Sequence, residues 1–73
     1  MKITFEQNSE AFMVLIDDTI HIFLKKESFD GITTIDSNDG YYIYFHSNGS
    51  KMETRYTDKY IWEDILNILK DNL

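Results

Sequence analysis

Residues Tyr41–Gly49 read YYIYFHSNG, and this stretch decides the fold. Tyrosine, isoleucine and phenylalanine fit a pleated, half-buried surface, so Tyr41–His46 predicts a strand. Asn48-Gly49 follows at once. A two-residue hairpin turn needs positive φ at both central residues, and Asn-Gly meets that demand with little steric cost. The dipeptide therefore predicts a hairpin over residues 41–57. In its register Phe45 opposes Met52, Tyr44 opposes Glu53, Ile43 opposes Thr54 and Tyr42 opposes Arg55. Side chains alternate between faces, so one face carries Tyr41, Ile43, Phe45, Met52, Thr54 and Tyr56. The other carries Tyr42, Tyr44, His46, Lys51, Glu53 and Arg55, and its charges mark it as the outer one.

Upstream, Ala11–Ile16 and Thr19–Leu24 flank Asp17-Asp18. Aspartate tolerates positive φ better than most residues, so a second two-residue hairpin is expected over residues 11–24. Continued evenly from that turn, the register sets Leu15 against Ile20, Val14 against His21, Met13 against Ile22 and Phe12 against Phe23. One face is then wholly apolar: Ala11, Met13, Leu15, Ile20, Ile22 and Leu24. The other holds Phe12, Val14, Ile16, Thr19, His21 and Phe23, too apolar for a face left in water. Such a face asks for a cover, either by curling of the sheet or from a second chain. Phe12, Val14, Ile16, His21 and Phe23 are accordingly the expected homodimer interface.

The remaining segments complete an α+β plan. KITFE alternates and reads as a strand, and Gln7–Ser9 breaks it. Lys25–Gly31 reads as a polar connector, Ile32–Asp36 as a short strand and Ser37–Gly40 as a turn. The tail carries Ile61, Trp62, Ile65, Leu66, Ile68, Leu69 and Leu73 at helical spacing. It predicts a helix over about residues 58–71, capped by Thr57 or Asp58. The expectation is a single domain over residues 1–73. It is an antiparallel sheet of about five strands with the helix packed on one face, anchored by Trp62.

Composition narrows the function. The chain has 73 residues, no cysteine and no proline. A core this small is marginal, and with no disulfide available a partner or a second copy is the obvious support. Absence of cysteine fits a reducing cytoplasm. No apolar segment approaches a signal peptide or the roughly 20 residues needed to span a bilayer. Thirteen acidic residues against seven basic ones give a net charge of −6. Duplex nucleic acid is a polyanion whose binders carry a basic footprint, so the balance opposes that ligand. It suits solubility and encounter with a basic protein.

Chemistry is sparse. There is no GxSxG, Walker or HExxH pattern, and the three glycines are isolated. Asp17-Asp18 reads as a turn rather than as a carboxylate pair. Asp36–Gly40 lacks the spacing of a calcium loop, whose twelfth position would fall on Ser47. Neither a metal, a cofactor nor an enzymatic activity is expected. His46 beside Glu53 has no nucleophile or oxyanion site to serve.

The outer face remains. Tyr42, Tyr44, His46, Glu53 and Arg55 combine area, rigidity and polar handles, the qualities enriched in interface hot spots. The expected function is a small acidic protein-interaction module, an inhibitor or regulator. In size and composition the chain resembles phage-encoded inhibitors, anti-defence proteins, antitoxins and immunity proteins. One alternative is single-stranded nucleic-acid binding through stacked tyrosines. The other is a small-molecule sponge formed at a dimer interface.

Overall fold

The computed structural model describes residues 1–73. Six strands and one helix follow in order: β1 (Ile3–Gln7), β2 (Ala11–Ile16), β3 (Thr19–Lys25), β4 (Phe29–Ser37), β5 (Gly40–Ser47), β6 (Ser50–Tyr56) and α1 (Lys59–Asn72). The α+β class, the antiparallel pairing and the C-terminal helix are as expected. The single sheet of about five strands is not. The strands form two three-stranded sheets, β1-β2-β3 and β4-β5-β6. Periodicity reveals which side a residue faces, but not where one ladder stops and the next begins. Two compact units divide the chain, Met1–Glu27 with Asp64–Leu73, and Ser28–Glu63.

In the first unit, Asn8 turns β1 into β2 by accepting the Glu10 and Ala11 amides on its Oδ1, each at 2.8 Å. Asp17 and Asp18 make the predicted β2–β3 turn with φ of 49° and 66°. Asp17 is also tied to the chain start, its amide donating to Lys2 O and its Oδ1 accepting from Lys2 N, both at 2.8 Å. Next to the turn the pairing is as predicted, Ile16 with Thr19 and Leu15 with Ile20. It then slips, so that Val14 pairs Ile22, Met13 pairs Phe23 and Phe12 pairs Leu24. His21 is the extra residue of this bulge. A one-residue slip sends every later side chain to the opposite face. Val14, Ile22 and Leu24 are therefore buried together, while Ile20 stands 55% exposed. Ile65, Leu66 and Leu69 of α1 are buried in the same unit.

In the second unit, β4 is longer than expected because Phe29–Gly31 joins it rather than the connector. Asp30 and Gly31 break the alternation, and the ladder absorbs them by a register shift between Phe29 and Gly31. The β5–β6 hairpin has the predicted register throughout, from Tyr41 opposite Tyr56 to Ser47 opposite Ser50. Its turn residues Asn48 and Gly49 have φ of 45° and 80°. Ile43 and Phe45 are fully buried, and burial raises the Tyr56 phenol above its ordinary pKa. Asp58 caps α1 through Oδ1, which accepts the Tyr60 amide at 2.9 Å. Trp62 anchors the helix start: its indole N–H donates to Tyr42 O at 3.1 Å and its ring lies 5.3 Å from Tyr41.

Candidate functional site

The unbroken β5–β6 register assembles the outer face of the second sheet. Tyr42 and Tyr44 are two positions apart on β5, so they share a face, and their rings stack 6.0 Å apart at 13°. The Tyr44 ring is fixed from β6. The Tyr44 hydroxyl donates to Glu53 Oε1 at 2.8 Å, and Lys51 Nζ sits 4.8 Å from the Tyr44 ring centroid. Glu53, by accepting that hydrogen bond, raises the Tyr44 phenol above its ordinary pKa. A hydrogen-bonded, cation-covered tyrosine has little rotamer freedom left to lose on binding.

At the other end Arg55 lies across Gly40 and donates from Nη2 to the Asp39 carbonyl. A side-chain Cβ at Gly40 would stand 2.8 Å from Arg55 Nε, and φ there is +147°. Glycine is thus required both for the backbone and for the passage of the guanidinium. The Asp39 carboxyl is held below its usual pKa by the Ser37 hydroxyl at 2.6 Å, then by Tyr42 and by the Arg55 charge. The loop end of the face, Ser37–Gly40 with Tyr41, Arg55 and Thr57, encloses an open cavity of about 340 Å³.

All five residues expected at the partner site fall on this face. Tyr42 pairs Arg55, Tyr44 pairs Glu53 and His46 pairs Lys51. The third row was missed. Strand β4 brings Ile35 against Tyr42 and Thr33 against Tyr44. Thr33 Oγ1 is 2.7 Å from His46 Nε2, so the imidazole is half-buried and engaged. Ile35 remains 42% exposed and extends the tyrosine pair with an apolar edge. The Thr33–Ile35 spacing was visible in the sequence, but the adjacent Ile32 obscured its direction.

The five residues expected at a homodimer interface do not form one surface. The bulge places Phe12 and Val14 opposite Leu24 and Ile22, while Phe23 opposes Met13 on the other face. Val14 is 1% exposed and already belongs to the core. Phe12 is half-buried, with its ring 5.9 Å from Phe5 and 5.0 Å from Lys26 Nζ. Ile16 is half-buried and His21 exposed. Phe23, 52% exposed, lines an open cavity of about 400 Å³ with Ser9, Glu10, Lys25, Lys26 and Glu27.

No helix is long and apolar enough to cross a membrane, and no three acidic or histidine side chains are grouped to hold a metal. No family model, curated protein or solved structure matches the chain.

Proposed function

We propose that this chain is a protein-interaction module that binds its partner with the outer face of β4–β6. The observation that carries the reading is the stacked Tyr42–Tyr44 pair, tied by Glu53 and Lys51 and bounded by Ile35 and Arg55. Rigid tyrosines beside an arginine bring contact area at small entropic cost, which is how hot spots form. The net charge of −6 speeds encounter with a basic partner by long-range attraction. The face is a binding surface rather than a catalytic one. An inhibitor or regulator that occupies a partner's surface is the role that fits, as in phage inhibitors, antitoxins and immunity proteins. A cysteine-free chain suits a reducing compartment such as the cytoplasm.

The test is affinity capture from the native host, with the wild type beside a Tyr42→Thr, Tyr44→Thr double variant of unchanged circular dichroism. Capture should be lost in the variant; equal capture would remove the face from consideration. Single-stranded nucleic acid would announce itself differently. Binding to an oligonucleotide at about 50 mM salt that disappears near 200 mM would favour that ligand instead. Lys51 above the Tyr44 ring already occupies a place a stacked base would need.

A further inference from the structure

The outer face is not the only surface that β6 offers. We propose that β6 is also a homotypic docking edge, along which two copies of this chain pair antiparallel with Glu53 of each opposite Arg55 of the other. This goes beyond the partner reading, because it concerns the free edge of the strand, which Glu53 and Arg55 border as well as the tyrosine face.

The backbone comes first. Strand β6 is terminal in its sheet, and its turn Asn48-Gly49 has positive φ at both residues. In such a two-residue hairpin the flanking pair, here Ser47 and Ser50, is hydrogen-bonded, and bonded pairs alternate along the ladder. Ser50, Met52 and Thr54 therefore point their N–H and C=O groups at β5, while Lys51, Glu53 and Arg55 point theirs outward. No backbone hydrogen bond outside the two sheets involves Lys51–Arg55. Three successive residues, Lys51, Met52 and Glu53, are exposed although they alternate between faces, and Met52 is 43% exposed. An unpaired row of donors and acceptors is a template for another strand.

The side chains then select the occupant. Centred on Thr54, an antiparallel pairing of β6 with itself sets Glu53 against Arg55 twice and Met52 against Tyr56 twice. Glu53 and Arg55 both turn their backbone groups outward, so they also make the hydrogen-bonded pair that this register requires. Centred on Glu53 instead, the pairing would oppose Glu53 to itself and Lys51 to Arg55, which is unfavourable. Centred on Met52, it would leave Arg55 against the turn at Gly49. A strand whose charges complement themselves about a two-fold axis suits an isologous dimer. Both side chains are already anchored on their own sheet, Glu53 through Oε1 to Tyr44 and Arg55 through Nη2 to Asp39. On pairing, each head group turns from that contact on its own sheet to its counterpart across the axis.

Sedimentation equilibrium of the purified full chain tests this, with folding of each variant checked by circular dichroism. The wild type should approach twice its 8.7 kDa mass as concentration rises. Glu53→Arg should weaken association at least about tenfold, since two opposite-charge pairs become two like-charge pairs. The swap Glu53→Arg with Arg55→Glu should restore it, and Lys51→Glu should leave it unchanged. In the dimer, the amides of Glu53 and Arg55 should gain hydrogen-exchange protection that dilution removes. A wild type that stays monomeric at every concentration overturns the proposal. So does a dimer indifferent to Glu53→Arg, or one that the charge swap fails to restore. Partner capture plays no part in these readouts, so failure here is separate from failure of the tyrosine face.

Discussion

The two hairpins make an instructive pair. Both β2–β3 and β5–β6 turn on two residues with positive φ, Asp17-Asp18 and Asn48-Gly49. Beside each turn the pairing is what a two-residue loop dictates. Yet β5–β6 keeps its register over its whole length, whereas β2–β3 slips at His21. The difference lies in how strongly each strand specifies its faces. In β5–β6 polar and apolar residues alternate, so a slip would bury Lys51, Glu53 and Arg55 and is strongly opposed. In β2–β3 both faces are apolar, and a slip exchanges one apolar set for another. A turn governs register locally; alternation carries it further.

The largest effects test the two cores this produces. Phe45→Ala should cost about 3–5 kcal/mol and Ile22→Ala about 2–5 kcal/mol, read as shifts in urea midpoint. Both residues are almost fully buried. Ile20→Ala, at a side chain 55% exposed, should cost far less than Ile22→Ala; comparable losses would contradict the slipped register, since an even register puts both on the core face. Next come the turns. Gly49→Val places a branched side chain at φ +80° and should cost at least about 1–2 kcal/mol. Asp18→Gly should do the reverse, because it relieves a residue at φ 66°. A gain of up to about 1 kcal/mol is expected from the thermal midpoint, and the exposed Lys2–Asp18 pair at 3.9 Å loses little in exchange.

The smallest effect is electrostatic and belongs to the second sheet. The folded-state pKa of Tyr44 is raised, chiefly by its hydrogen bond to Glu53. A raised phenol favours the folded state below the ordinary value of 10.0, and that contribution fades as pH climbs through the folded pKa. Glu53→Gln should bring the Tyr44 titration back toward 10.0, followed by absorbance of the phenolate. Asp39 behaves with the opposite sign. Its lowered carboxyl adds stability above about 3.8 that is lost as pH falls through the folded value. Ser37→Ala should raise that titration, seen by carboxyl chemical shifts.

Much of the candidate site was legible because it rests on alternation counted from Asn48-Gly49. Tyr42 opposite Arg55 and Tyr44 opposite Glu53 needed nothing beyond that. Thr33 and Ile35 were not placed, since Ile32, Thr33, Thr34 and Ile35 show no clean period of two. Arg55 lying over Gly40 was also invisible, because sequence does not say where a long side chain turns. The five residues expected at a dimer interface are split between faces for a related reason: nothing in FMVLI or IHIFL reveals that His21 will be skipped.

The sequence by itself determined the α+β class, the helix and most strand segments but not the extent of β4, both two-residue turns and the inner and outer faces of β5–β6. These are local matters of φ, side-chain period and capping. Only the tertiary structure decided that the strands form two sheets rather than one, that β4 completes the tyrosine face and that β2–β3 carries a bulge. Those outcomes depend on which apolar surfaces bury best together, and burial is a property of packed pairs of segments rather than of any one of them.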